Sequence, residues 1–176
     1  RLMGIFRERG YEGASLADLS EATGLGRSSL YHYFPGGKDE MATSVLAHLD
    51  GQLEKALYAP LETKASPRKK LDAMLAVLDA FYEGGTKACL LERLCASSSR
   101  AVIGGPLRHS VDLWLTAFET LGVSAGVPRP TARARAEDAL ARIQGALVVV
   151  VGTGRKEVFA RALEDIRSTL LVGGRS

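Results

Sequence analysis

Six hydrogen-bonding side chains are concentrated in the short stretch from residue 27 to residue 34. If this stretch is helical, Leu30 and Phe34 lie four residues apart and face inward. The remaining side chains then point outward: Arg27, Ser28, Ser29, Tyr31, His32 and Tyr33. Guanidinium and hydroxyl groups are suited to hydrogen bonds with base edges and phosphates. We therefore predict a helix that contacts DNA; the alternative is a short surface helix of an ordinary bundle.

A second predicted helix precedes this one and would hold it in place. Ser15 stands before the first apolar residue, and Asp18 follows three positions later, which is the pattern of a helix N-terminus. Gly24 follows where the helix must end, because glycine adopts positive φ without steric cost. Leu25 fills the angle between the two helices. The pattern predicts a helix-turn-helix whose second helix enters a major groove.

Four segments carry a resemblance to a known family. They are residues 10–15 (GYEGAS), 22–26 (ATGLG), 30–34 (LYHYF) and 38–41 (KDEM). Together they resemble the N-terminal domain of TetR-type (tetracycline-repressor-like) transcriptional regulators. The resemblance is specific over about residues 3–50 and only architectural beyond them. It implies a homodimeric repressor that binds a palindromic double-stranded DNA operator and is released by a small-molecule inducer.

The resemblance also implies roles for individual side chains. Those implied to face base edges are Arg27, Ser28, Ser29, Tyr31 and His32, and those implied to contact phosphates are Ser15, Tyr33 and Lys38. These roles are chemically coherent. Arg27 can donate two hydrogen bonds to a guanine, and Lys38 adds positive charge at a helix N-terminus, where anions bind.

The charge distribution favours a different hypothesis. The whole chain has a net charge of +3, but residues 1–58 hold six Lys or Arg against eight Asp or Glu, which gives −2. A DNA-binding domain is expected to be positive. An all-α ligand-binding or interaction module without DNA-binding activity therefore stays open, as does an all-α enzyme.

Other classes of site find little support in the sequence. The three histidines and two cysteines have no zinc-site spacing, and Cys89 and Cys95 are expected to be buried, with a redox role left open. Neither a catalytic motif nor a cofactor motif is present, so we predict no enzyme and no cofactor. The most apolar run, 146–151, is too short to span a membrane. We expect a cytoplasmic protein whose native chain begins before residue 1.

The rest of the chain predicts an all-α fold. The helix expected from Lys38 to about Tyr58 repeats its apolar residues every four positions. Further helices are predicted at 67–82, 89–97, 106–121, 131–151 and 156–172, with irregular structure at 98–105 and a loop at 122–130. We predict a helix-turn-helix domain over residues 1–48. A helical ligand-binding and dimerisation domain follows over residues 49–176.

Apolar and aromatic side chains from three of these helices could line a pocket. They are Met74, Leu78, Phe81, Tyr82, Cys89, Leu94, Trp114 and Phe118. Filling of the core is the simpler role for each one alone. The polar groups of Tyr82, Cys89 and Trp114 need partners, however, and spaces between helices often bind ligands. The resemblance implies an inducer cavity here, and residues 34–38 with 89–91 resemble the subgroup that regulates multidrug exporters. We expect an apolar or aromatic inducer.

The last two predicted helices carry more apolar surface than one short bundle needs. The predicted dimer interface consists of Ala139, Ala146, Val150, Phe159, Leu163, Ile166 and Leu170. A stripe at helical spacing can pair with its own copy across a two-fold axis. The alternative is that these faces pack only within one chain.

Overall fold

The structure, a computed structural model, describes residues 1–95 and 100–173, and every regular element in these residues is an α-helix. In chain order the helices are α1 (Leu2–Gly13), α2 (Leu16–Thr23), α3 (Arg27–Tyr33), α4 (Gly37–Glu62), α5 (Pro67–Phe81), α6 (Leu90–Cys95), α7 (Arg100–Ser124), α8 (Arg129–Thr153) and α9 (Glu157–Thr169). The predicted all-α fold class is confirmed.

Local sequence signals explain the boundaries of the first helices. Gly10 interrupts α1 with a φ of +69°. Ser15 caps α2, and Gly24 ends it in the left-handed conformation with a φ of +74°. Ser66 caps α5, and Pro67 occupies its first turn, where a missing N–H costs no hydrogen bond. Each of these boundaries follows from one side chain or one backbone constraint.

The chain divides into two compact units. Unit 1 comprises residues 1–51 and 89–110, and unit 2 comprises residues 52–88 and 111–176. The first boundary lies three residues from the one expected at residue 48. The second segment of unit 1 differs from the expectation, because residues 89–110 had been assigned to the C-terminal domain. The physical reason is that α6 packs against α1.

Unit 1 encloses the core on which the helix-turn-helix rests. Phe6 of α1, Leu19 of α2 and Leu30 of α3 are fully buried. The rings of Phe6 and Tyr11 stack with centroids 6.3 Å apart. The core is completed by further buried residues of α4, α6 and α7: Leu46, Leu49, Leu90, Leu94 and Ile103. These contacts fix the direction of α3, whose own length is only seven residues.

Unit 2 is built from α5, α8, α9 and the later parts of α4 and α7. Its largest buried side chains are Leu71, Met74, Trp114, Phe118 and Phe159. Salt bridges join the surfaces of α7 and α8, where Glu119 accepts from Arg129 at 2.8 Å and pairs with Arg133 at 3.5 Å. The apolar interior therefore dominates this unit, with ion pairs at its margin.

Two helices are longer than the sequence predicts, because a proline lies inside each of them and does not limit it. α7 begins at Arg100 rather than at Pro106, and residues 100–105 are helical instead of irregular. Residues 96–99, the other part of that expectation, lie outside the described residues. Ile103 and Leu107 are buried, so tertiary packing outweighs the hydrogen bond that Pro106 cannot donate. α4 likewise continues past Pro60 to Glu62.

Candidate nucleic-acid interface

The turn between α2 and α3 is fixed by hydrogen bonds at both of its ends. Gly24 N–H donates to the carbonyls of Ser20 (2.9 Å) and Glu21 (3.2 Å). Ser20 Oγ donates to the carbonyl of Leu25 at 2.5 Å. These hydrogen bonds hold the turn between the two helices in one conformation. The position of α3 therefore follows from α2 and from the buried Leu30.

The N-terminus of α2 carries a reciprocal capping box. Ser15 Oγ accepts from Asp18 N–H (3.1 Å), and Ser15 N–H donates to Asp18 Oδ2 (2.9 Å). Asp18 also accepts from the Ser15 hydroxyl and from Arg9. The hydrogen bond from the Ser15 side chain, followed by that from its backbone and by the Arg9 guanidinium, lowers the pKa of Asp18 below its ordinary value. Ser15 is exposed, but its hydroxyl is part of this cap.

The outward face of α3 is as exposed as the periodicity predicts. Of its seven residues, only Leu30 is buried. Tyr31 and Tyr33 expose 47% and 64% of their surface. The rings of His32 and Tyr33 meet edge to face at 5.6 Å. Arg27 has no hydrogen-bond or ion-pair partner among residues 1–95 and 100–173. This face therefore keeps its donors available for an external partner.

Lys38 lies beside α1, in the first turn of α4. Its Nζ is 4.5 Å from the centroid of the Tyr11 ring and donates to the carbonyl of Glu12 at 3.4 Å. The Tyr11 hydroxyl donates to Asp39. Residues 22–38 contain no Asp or Glu, although residues 1–58 as a whole are negative. The segment that contains α3 is therefore free of acidic side chains, although Asp39 and Glu40 follow directly in the first turn of α4.

A second candidate site is an aromatic cluster in unit 2, formed by Phe81, Tyr82, Trp114, Phe118 and Phe159. The Tyr82 ring lies 6.4 Å from Trp114 and 5.9 Å from Phe159. Trp114 is fully buried, and its Nε1–H has no hydrogen-bond acceptor among the described residues. A buried donor without an acceptor destabilises the folded chain, because the donor has lost its hydrogen bonds to water. The cluster thus holds one polar group that a ligand could satisfy.

The eight predicted ligand-binding residues divide between the two units. Six of them belong to unit 2: Met74, Leu78, Phe81, Tyr82, Trp114 and Phe118. Cys89 and Leu94 belong to unit 1. Phe159 joins the aromatic cluster although the sequence reasoning placed it in a dimer interface. Phe159 also lies against Gly85, at φ +89°, where an added Cβ would be only 2.6 Å from the Phe159 Cβ, and no pattern in the sequence indicates this contact.

The seven predicted interface residues are all buried within the single chain. They are Ala139, Ala146, Val150, Phe159, Leu163, Ile166 and Leu170. The reason is that α8 and α9 pack directly against each other, so that each apolar stripe covers the other. The large exposed apolar residues of α8 are instead Val148, Val149 and Val151.

The remaining reactive groups form no site in the described residues. Cys89 is buried as expected, but Cys95, at the C-terminal end of α6, is exposed, contrary to the expectation. No group of three or more His, Cys, Asp or Glu is placed to hold a metal ion within residues 1–95 and 100–173. The helices described there also include none that is long and apolar enough to cross a membrane.

Comparison with known proteins identifies the helix-turn-helix. Residues 3–45 match the sequence model described as bacterial regulatory proteins, tetR family. The chain is 22% identical over 104 residues to an uncharacterized HTH-type transcriptional regulator, YxaF, of Bacillus subtilis (strain 168). These 104 residues cover 59% of this chain and 54% of that protein. The chain is 26% identical over 78 residues to the HTH-type transcriptional regulator LmrA of the same organism, covering 44% and 42%. The chain thus spans about half or less of the curated relatives it matches.

A solved structure extends the similarity of fold beyond the matched domain. A TetR transcriptional regulator from Legionella pneumophila aligns with a TM-score of 0.87, over 96% of this chain and 92% of that one, at 15% identity. At such low identity the alignment establishes the fold alone. Together with the match over residues 3–45, it shows a chain whose N-terminal domain is similar to that of the tetR family of bacterial regulatory proteins and whose fold is that of a solved TetR regulator.

Proposed function

We propose that this chain is a DNA-binding transcriptional repressor that acts as a homodimer on a palindromic operator and is released by a small-molecule inducer. The observation that carries the proposal is the outward face of α3. Six of its seven side chains are exposed, while the capping box and Leu30 hold the helix in place. The net charge of −2 in residues 1–58 favours the alternative, a ligand-binding module without DNA-binding activity.

Salt dependence of DNA binding separates the two functions. The operator is sought by selection from a random duplex library, and its affinity is measured between 50 and 200 mM salt. A repressor loses affinity steeply as salt rises, because each phosphate contact releases counterions. Lys38→Ala should weaken all duplexes alike and flatten the slope by about one. Binding without sequence preference, or none at all, contradicts the proposal and supports the alternative module.

We assign the homodimer contact to the outer face of α8. Val148, Val149 and Val151 expose 54%, 43% and 48% of their surface. Ala141, Gly145 and Val148 lie on one exposed side of α8 and are small enough to let another helix approach closely. A contiguous exposed apolar patch is typical of an interface. A homodimer that binds a palindromic operator contacts two half-sites about 34–36 Å apart.

Sedimentation tests this assignment with a matched pair of variants. Val148→Asp places a charge in the proposed interface and should give monomers with weakened operator binding. Val123→Asp makes the same change at a residue of α7 that is 44% exposed, and it should leave the dimer intact. A wild-type chain that is monomeric at micromolar concentration contradicts both the dimer and the palindromic operator.

The inducer is assigned to the aromatic cluster around Trp114. An apolar or aromatic ligand with one hydrogen-bond acceptor would stack there and satisfy the Trp114 Nε1–H. The chain has one tryptophan, so its intrinsic fluorescence reports this site alone. An inducer should quench that fluorescence and weaken operator binding, and the operator must weaken the inducer by the same factor. A compound that binds equally well with and without operator is not the inducer.

A further inference from the structure

A cleft in unit 1 lies apart from both sites described above. It has a volume of about 510 Å³, within the roughly 300–1,000 Å³ of small-molecule pockets. α4 lines it with Thr43, Ser44, Ala47 and Asp50, and α7 lines it with Pro106 and His109. We call it the α4–α7 cleft. All of its lining residues belong to unit 1.

Asp50 gives this cleft a buried negative charge. The residue is only 9% exposed, and its Oδ1 accepts from Ser110 Oγ at 2.5 Å. None of the Lys, Arg or His side chains in residues 1–95 and 103–173 forms an ion pair with it. Burial of a carboxylate is unfavourable unless a charge or several hydrogen bonds compensate it. One neutral hydroxyl leaves most of that charge uncompensated.

The residues around Asp50 do not supply a cation. Arg108 is two residues from Ser110, which places it about 200° away around α7. His109 lines the cleft but is exposed to solvent. No group of three potential metal ligands is present among the described residues, so a bare metal ion would lack a coordination shell. These observations favour an organic cation.

The walls of the cleft indicate what kind of cation would fit. The Thr43 hydroxyl donates its hydrogen to the carbonyls of Asp39 or Glu40, at 3.1 and 3.0 Å, which leaves its lone pairs free to accept. The Ser44 hydroxyl is exposed beside it. Ala47 and Pro106 present apolar surface. Acceptors beside a carboxylate match the several N–H donors of an ammonium group, and the apolar surface matches a short carbon chain.

We propose that the α4–α7 cleft binds a small protonated primary amine, with its ammonium group on Asp50 and its carbon chain against Ala47 and Pro106. This site depends neither on DNA binding nor on the aromatic cluster around Trp114. Its test therefore needs no operator and no inducer.

Nuclear magnetic resonance of the full ¹⁵N-labelled chain provides the test. Titration with n-butylammonium chloride at constant ionic strength should give saturable shifts of the amides of residues 43–50, 105 and 107–110. n-Butanol, which has the same chain without the charge, should cause none. Tetramethylammonium, which cannot donate hydrogen bonds, should bind at least fivefold more weakly. Equal binding of n-butanol or tetramethylammonium, shifts confined to other residues, or no saturation would overturn the proposal.

Three variants locate the charge and the carbon chain. Asp50→Asn keeps an acceptor for Ser110 and should lower the affinity for n-butylammonium at least tenfold. Glu8→Gln removes the same charge from an exposed position of α1 and should leave the affinity unchanged. Ala47→Leu fills the cleft from an exposed position of a helix and should lower the affinity at least fivefold. Thermal melting confirms that each variant is folded, and wild-type affinity in a folded Asp50→Asn or Ala47→Leu chain would overturn the proposal.

Discussion

α3 and α9 are both short helices, but they use their side chains in opposite ways. α3 has seven residues and buries one of them, Leu30. α9 has thirteen residues and buries Phe159, Ala162, Leu163 and Ile166. α3 is held by its neighbours and displays its surface, whereas α9 uses its apolar face to hold unit 2 together. Substitutions on α3 are therefore expected to change binding, and substitutions in the α9 stripe are expected to change stability.

Phe159→Ala should have the largest effect. The fully buried Phe159 leaves a cavity beside Tyr82 when it is truncated, so the free energy of unfolding should fall by about 3–5 kcal/mol. Urea denaturation followed by far-ultraviolet circular dichroism measures the loss. Arg161→Ala, on the exposed side of the same helix, is the control and should change the stability by less than about 0.5 kcal/mol. Equal losses in the two variants would contradict the packing of α9.

Arg27→Ala should weaken operator binding by about 1–3 kcal/mol and relax specificity at one base position. Because Arg27 is exposed and has no partner in the described residues, the stability should not change. Fluorescence anisotropy with labelled operator measures the affinity. The control is again Arg161→Ala, which removes the same charge from α9. A loss of stability without a loss of affinity would mean that α3 is an ordinary surface helix.

Ser15→Ala should destabilise the chain by about 1 kcal/mol, the usual cost of losing an N-cap side chain. α3 depends on α2 for its position, so this substitution tests whether the display of α3 rests on local capping. Chemical denaturation gives the stability, and Ser28→Ala, on the exposed face of α3, is the control. A Ser15→Ala chain as stable as the wild type would contradict that role of the cap.

Asp18 adds a pH dependence to the same cap. Its pKa is lower in the folded chain than in the unfolded one, so its contribution to stability is complete above the unfolded value of about 3.9. The contribution is lost as the pH falls through the folded pKa. The stability difference between wild type and Asp18→Asn should therefore shrink as the pH is lowered below about 4. Denaturation at pH 7, 5, 4 and 3 measures it, and a difference that grows towards pH 3 would refute the assignment.

Arg142→Ala should have the smallest effect. Arg142 donates to Asp165 across α8 and α9 at 3.0 Å, but both side chains are exposed. Solvent screens such a pair, which contributes about 0.2–1 kcal/mol. Chemical denaturation should show a small loss in the free energy of unfolding at low salt and no loss at high salt. A loss as large as that of Phe159→Ala would mean that ion pairs, rather than apolar packing, hold α9.

The parts of the fold that could be predicted from the sequence are those set by local physics. Ser15 and Gly24 act on the backbone within a few residues, so they define α2 without reference to the rest of the chain. The stripe in α9 also follows from its periodicity, and its residues are buried in the single chain. Periodicity states that a face is buried, but not whether the covering surface belongs to the same chain.

Tertiary contacts explain where the sequence reasoning failed. Gly104, Gly105 and Pro106 resemble helix breakers, yet α7 runs through all three, because Ile103 and Leu107 gain more from burial than the backbone loses. The assignment of 89–110 to unit 1 depends on contacts between residues far apart in sequence, which no local pattern contains. Asp50 carries no local signal of its burial, because only the fold buries it.

The chain passes between its two units at three places, and two of these places are helical. It crosses from one unit to the other at residues 51/52 and 110/111, which lie inside α4 and α7, and at 88/89, which lies in the non-helical segment between α5 and α6. Proteases cleave exposed irregular segments in preference to helices, so the first cut among these crossings should fall near 88/89. Each resulting fragment would hold part of unit 1 and part of unit 2. We expect the two halves to remain associated after cleavage and to separate only on denaturation.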